Sequence, residues 1–185
     1  MFHLLDTLEG GGTEHLLVSL LGLWRSERFR HAVITLREAG GPADRLPSWV
    51  ACRALETCGP QRCGRRIARI VRAYRNGWAE TCAERPESAP AGTRPGVILH
   101  ARNTCTWADA VAAGMLIRSC RVVLGFHGST EDKPLSRKHR WLARIAHRMG
   151  GCLATVSRRG REQLLREAHL PPEAVIVLPN GVDTV

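Results

Sequence analysis

The chain has 185 residues and a formal net charge of +10, with 44% hydrophobic and 24% charged residues. That length suits one domain with a core of its own, and the ordinary apolar-to-charged balance excludes a disordered or fibrous chain. The positive charge, carried by 25 arginines and only two lysines, Lys133 and Lys138, favours anionic partners: nucleic acid, an acidic membrane surface or a phosphate-bearing substrate.

The apolar residues 1–5 have no basic segment before them, and Asp6 and Glu9 put charges directly after them, which is not the pattern of a signal peptide. The uncharged run 16–24 is far short of the roughly 20 residues that cross a bilayer. A cytoplasmic chain is expected. The seven cysteines (Cys52, Cys58, Cys63, Cys82, Cys105, Cys120 and Cys152) contain no CxxC pair. That spacing argues against a zinc site and for reduced thiols. Cys120 and Cys152 flank strand-like runs and read as small core residues.

In chain order, residues 2–5 read as a short apolar strand and residues 8–13 (LEGGGT) as a glycine-rich loop. Residues 14–24 come next as a helix that is apolar nearly all round, the mark of a buried helix. Residues 31–36 (HAVITL) are a second strand, and Gly40-Gly41-Pro42 breaks the chain. A third strand is expected within 49–55, then a turn-rich stretch at 57–64. Ile67, Ile70, Val71 and Tyr74 share one face of a helix over 65–74 that extends toward Cys82. Residues 86–95 are a loop.

The second half repeats the alternation. Strands are expected at 96–100 (GVILH), 121–126 (RVVLGF), 152–156 (CLATV) and 174–178. Helices are expected at 106–119, at 135–149 with Trp141, Leu142, Ile145 and Met149 as its apolar stripe, and at 158–168. Apolar strands each followed by a helix predict a parallel sheet covered on both faces. Ligands of such a sheet bind outside the C-terminal ends of its strands. The loops that matter are then 9–14, 101–106, 127–130, Ser157 and the turn at Asn180-Gly181.

The glycine loop opens a helix, so it presents bare backbone amides and a helix N-terminus, which suits a phosphate. It is neither the dinucleotide fingerprint nor a Walker A loop. The alternative is a plain tight turn, with Thr13 as helix cap. His127 comes after a buried strand; it either meets a substrate or bonds to nearby backbone. His100, Arg102 and Asn103 could bind a polyhydroxylated or anionic ligand, and Asn103 could equally cap the next helix. Two helices carry arginine rows: Arg65, Arg66, Arg69, Arg72 and Arg75, then Arg137, Lys138, Arg140, Arg144 and Arg148. A basic amphipathic helix can lie on an anionic membrane, but an apolar stripe packed on the sheet with arginines toward water is the simpler expectation. Tyr74 is the sole tyrosine, and nothing interleaves aromatics with the basic residues as single-stranded nucleic acid requires. No carboxylate pair or serine triad stands out.

Five stretches in this order carry a resemblance: GGTEHLLVSLLGLW (11–24), VILHARN (97–103), VVLGFHG (122–128), ATVSRRGREQLLREAHL (154–170) and AVIVLPNGVD (174–183). The chain resembles the N-terminal domain of a family 4 glycosyltransferase of the GT-B architecture, in which two Rossmann-like domains enclose a cleft. The resemblance implies transfer of a sugar from a nucleotide-sugar donor to a glycan or lipid-linked acceptor with retention of configuration, and no cofactor or metal. It implies that Gly11, Gly12 and Thr13 approach the donor diphosphate. Glu14, His100, Arg102 and Asn103 are then candidate acceptor contacts. His127 lies by the transferring sugar as the catalytic candidate.

On this reading residues 1–178 are the acceptor-side domain. Residues 179–185, with Asn180 and Gly181 as hinge, begin a linker to a donor-binding domain that this sequence lacks and that would act in cis or in trans. The truncated chain is expected to be inactive alone, with peripheral contact to the inner face of the membrane as a further expectation. A non-catalytic module that captures an anion or glycan is the alternative, and nucleic acid is disfavoured as a partner.

Overall fold

The computed structural model describes residues 1–23, 29–57, 63–81, 96–127 and 134–179. Seven strands form one parallel sheet: β1 Phe2–Leu5, β2 Ala32–Thr35, β3 Ala51–Ala54, β4 Val97–Ala101, β5 Cys120–Phe126, β6 Cys152–Thr155 and β7 Val175–Val177. Their spatial order is β3-β2-β1-β4-β5-β6-β7. The chain first adds strands outward from β1 on one side, then returns and adds β4 to β7 on the other. The order therefore reverses between β1 and β4, the arrangement of a Rossmann-like doubly wound sheet.

Among the described residues five α-helices connect the strands: α1 Gly12–Leu23, α2 Gly64–Thr81, α3 Trp107–Leu116, α4 Arg137–Arg148 and α5 Arg158–Ala168. Alternation along the strands divides the core in two. Phe2, Leu4, Ile34, Leu99, Val122 and Leu124 join the cluster that includes Ile67 and Val71 of α2, Trp107 and Ala110 of α3, Leu142 of α4 and Leu164 of α5. Leu5 and Val33 point to the other face, where Leu17, Val18 and Leu21 of α1 cover them. Helices thus pack on both faces, as the pattern predicts.

Two tertiary contacts fix the larger face. Asp109 of α3 accepts from the backbone N–H of Cys63 at 2.6 Å, just before α2 begins, and so caps that helix from outside. Gly64 stands where a Cβ would come within 2.7 Å of the Ala112 Cβ, so α2 and α3 approach closely only because that residue is glycine. The arginine row of α2 also has structural work. Arg72 donates to the Leu116 carbonyl and Arg75 to the Arg118 carbonyl at 3.3 Å, which satisfies oxygens at the C-terminal end of α3. In α4, Arg144 donates to the Ala168 carbonyl at 2.8 Å.

Several expectations need correction. α1 is not buried all round: Leu17, Val18 and Leu21 are covered, but Leu20 is 38% and Leu23 83% exposed. A helix on the outside of a sheet has only one face to bury, whatever its composition. α1 starts at Gly12, which puts Thr13 inside its first turn and not at the cap. In α4 the buried positions are Leu142, Ala143 and Ala146, and Trp141 is 60% exposed. β7 stands at the edge of the sheet, with Val175 buried and Ile176 41% exposed. Cys120 and Cys152 open β5 and β6 only half-buried; burial nevertheless pushes the Cys120 thiol up to about 11. The loop at 86–95, Asn180 and Gly181, and Cys58 and Cys82 lie outside the described residues.

Candidate functional site

Because the sheet is parallel, every strand delivers its C-terminal end to the same edge. β1 leads through Asp6 to the glycine loop. Arg102 comes directly after β4 and His127 directly after β5. The reversal of strand order sends the connection after β1 and the connection after β4 to opposite faces. In doubly wound sheets the ligand crevice lies between two such connections. α1 borders it on one face and the turn at Thr104–Thr106, which leads into α3, on the other.

The glycine loop enters α1 tightly. Gly10 has φ of +111°, a conformation that disfavours any side chain. The Gly11 carbonyl accepts from the amides of Glu14 (3.1 Å) and His15 (3.0 Å), closing the first helical turn. The amides of Gly12 and Thr13 are left with no acceptor within the helix. The Glu14 side chain folds back so closely over Gly11 that a Cβ there would collide with its carboxylate. Glu14 is only 9% exposed.

Opposite, the backbone of Arg102 is held from both sides. Its N–H donates to the Leu4 carbonyl of β1 at 2.9 Å. Its carbonyl accepts from Nε2 of His127 at 2.8 Å. A carbonyl can only accept, so Nε2 carries the proton, and Nδ1 of the neutral ring keeps its lone pair. Gly125 permits this approach: a Cβ there would lie 2.8 Å from the Arg102 carbonyl oxygen and 2.9 Å from that of Ala101. Trp107 fixes the same segment by donating its indole N–H to the Gly125 carbonyl at 3.0 Å.

Burial then sets the charges. Arg102 is 7% exposed, and burial lowers it to about 10, partly offset by the Glu14 carboxylate; it remains a cation at neutral pH. His127 is lowered by burial, against the opposing effect of its bond to the Arg102 carbonyl, so the neutral ring prevails near neutrality. His100 is pushed down to about 3 by burial and by the Arg102 and His127 charges. It pairs in register with His3 of β1, which burial and the neighbouring His100 and Arg102 charges hold well below the ordinary range. His3 Nε2 and His31 Nδ1 lie 3.1 Å apart, with the rings stacked.

The structure therefore brings Glu14, His100, Arg102 and His127 to one crevice, with Gly11, Gly12 and Thr13 at its rim. Asn103 does not cap the following helix with its side chain. Its backbone carbonyl accepts from the Thr106 hydroxyl at 2.8 Å, and its Oδ1 accepts from the Cys105 thiol at 3.3 Å, with no helix-capping bond from the amide. Asn180 and Gly181 fall outside the described residues. Sequence reasoning passed over His3, His31, Trp107 and Gly125. Only the non-local pairing of β1 with β2 and β4, and of β4 with β5, gives them their positions. An ion pair also closes the rim, where Arg37 after β2 meets Asp6 after β1. Among the described residues no group of three or more His, Cys, Asp or Glu could hold a metal ion, and no helix is long and apolar enough to cross a membrane.

A family model described as Glycosyltransferase Family 4 matches residues 10–185. No curated protein matches the chain. Among solved structures, a glycosyltransferase from Rickettsia africae is similar with a TM-score of 0.63 at 14% identity, covering 98% of this chain and 43% of that one. Anabaena Alr3699/HepE in complex with UDP and glucose gives 0.59 at 16% identity, with 98% and 44% coverage. The same Anabaena protein in complex with UDP-glucose gives 0.55 at 17% identity and the same coverage. The chain thus spans less than half the length of the solved structures it matches, and at these identities the likeness establishes the fold.

Proposed function

The chain belongs to glycosyltransferase family 4 as an N-terminal, Rossmann-like domain of the GT-B type, and from that premise we propose that it is the acceptor-side wall of a retaining sugar-transfer cleft. The observation that carries this reading is the crevice at the reversal of strand order, with the glycine loop and α1 N-terminus on one side and Arg102 and His127 on the other. The complexes of Anabaena HepE with UDP and glucose, and with UDP-glucose, support a nucleotide-sugar as donor.

Each group has a role suited to its chemistry. The Gly12 and Thr13 amides face the donor diphosphate, where negative charge grows as the sugar leaves. His127, neutral and fixed through Nε2, accepts a hydrogen bond from a sugar hydroxyl at Nδ1 and orients the transferring ring. Glu14, His100 and Arg102 hold the acceptor, a glycan or a lipid-linked saccharide, so that its hydroxyl meets the anomeric carbon. The bond from that carbon to the diphosphate oxygen breaks, a bond to the acceptor oxygen forms on the same face, and the hydroxyl proton leaves with the diphosphate. No metal or cofactor is part of this scheme.

One wall cannot position both substrates. A misplacement of about 1 Å can cost on the order of 100-fold in rate, and the leaving diphosphate needs preorganised donors on more than one side. The 185-residue chain is therefore inactive until a donor-binding domain joins it in cis or in trans. The test is a transfer assay with nucleotide-sugars on the chain alone and on the chain continued into a second Rossmann-like domain. Turnover by the chain alone overturns the claim of dependence. Binding of a glycan by the chain, with no transfer after joining, identifies a non-catalytic binding module instead.

A further inference from the structure

We propose that Arg102 is the receptor for an oxyanion, a phosphate or carboxylate group of the bound substrate, in the crevice between β1 and β4. This rests on the reading of that crevice as the substrate cleft and specifies the chemistry of the group that enters it.

Arg102 as a residue is only 7% exposed. Its Nε is out of contact with solvent and has no hydrogen-bond partner. Among the described residues it makes no ion pair. A buried Nε–H without a partner is costly on a charged group, because the water it gave up has not been replaced. It is also not free to leave, since the backbone is fixed by the Leu4 carbonyl in front and the His127 ring behind. Such a group is stabilised by an oxyanion, phosphate or carboxylate, whose two oxygens accept from Nε and one terminal nitrogen together.

The surroundings favour an incoming anion over an internal one. Glu14 is the carboxylate whose charge reaches Arg102, yet it folds over Gly11 and does not pair with the guanidinium. His3 and His100 flank the site as neutral rings, each with a buried, unpartnered Nδ1, and bring no negative charge. The site thus holds one desolvated cation, polar atoms with unmet bonds and a carboxylate turned aside.

The Arg102 Nε–H resonance of the unaltered chain, assigned through its own side chain, reads occupancy without any mutation. Titration with inorganic phosphate and with glucose 6-phosphate is expected to move it saturably, and glucose is expected to leave it in place. Arg102→Lys should weaken glucose 6-phosphate binding by about tenfold or more, since a lysine loses the two-point contact. Glu14→Gln should tighten it by removing a competing carboxylate. No saturable shift with either phosphate, or equal affinity in the Arg102→Lys variant, overturns the proposal, as does a shift that glucose reproduces. UDP as competitor separates the sources. Displacement of glucose 6-phosphate by UDP assigns the oxyanion to the donor, and simultaneous binding assigns it to the acceptor. Anion binding at Arg102 without transfer by the joined protein removes the transferase reading and leaves this inference standing. Transfer without anion binding does the reverse.

Discussion

Acidifying the solvent from about pH 7 to about pH 5 should weaken the fold through the imidazoles of the crevice. An exposed histidine in the unfolded chain titrates near 6.5, and in the folded chain His100 is pushed down to about 3. Above about 6.5 both states are neutral, and the group contributes no pH dependence. As pH falls below that value the unfolded chain takes up a proton that the folded chain refuses. Stability is lost at about 1.4 kcal/mol per pH unit until the folded pKa is reached. Between about pH 7 and about pH 5 His100 alone then removes about 2 kcal/mol, a large share of the roughly 5–15 kcal/mol that holds a typical domain together. His3, lowered by burial and by the His100 and Arg102 charges, adds loss in the same direction. Urea unfolding at a series of pH values gives the free energy directly. The variant His100→Asn removes one titrating group, so its stability should fall less steeply with acid whatever its stability near neutrality. An unfolding free energy that stays flat across this range, or a His100→Asn variant with the wild-type slope, would refute the reasoning.

Other expectations concern single contacts. Asp109→Ala removes the side-chain acceptor that caps α2 at the Cys63 amide, at a cost of about 1–2 kcal/mol in chemical denaturation. Asp109→Asn keeps the accepting oxygen, and burial already raises the Asp109 carboxyl, so it should lie within about 0.5 kcal/mol of wild type. Gly125→Ala forces a methyl group against the Ala101 and Arg102 carbonyls and should cost roughly 1–3 kcal/mol. It should also change the His127 ring shifts in NMR by disturbing the bond to Arg102. In a joined two-domain protein, His127→Ala should lower kcat by about 100-fold or more. Because His127 sits below its ordinary 6.5, transfer should hold at that pH and fail only as acid protonates Nδ1, which a pH–rate profile reads.

The alternation of strand and helix was legible because period-2 and period-3.6 patterns are local properties of the chain. β1, β2 and α5 stand within a residue or two of expectation, and α2 extends to Thr81 as foreseen. The loops at strand ends were legible for a related reason: a parallel sheet gathers them at one edge by topology alone. Burial was the part that failed. Composition could not say that α1 has only one covered face, nor that Trp141 points outward while Ala143 and Ala146 face the core. Those outcomes depend on how a helix is rotated on the sheet. The site shows the same division. Arg102 and His127 were visible as polar residues at strand ends, and Glu14 as the acidic residue that follows the glycine loop. The His3–His100 pairing and the close approach of Gly125 to the Arg102 carbonyl arise from strand register between segments far apart in sequence. The cap of α2 by Asp109 is likewise tertiary, and no local signal announces it.

The central claim is that this chain supplies one wall of a sugar-transfer cleft and needs the other. Its most direct test is transfer of radiolabelled sugar from a nucleotide-sugar, measured side by side for the 185-residue chain and for the chain joined to a donor-binding Rossmann-like domain. The account predicts no transfer by the first and turnover by the second that collapses with His127→Ala. Turnover by the chain alone, or turnover by the joined protein that is indifferent to His127, would contradict it.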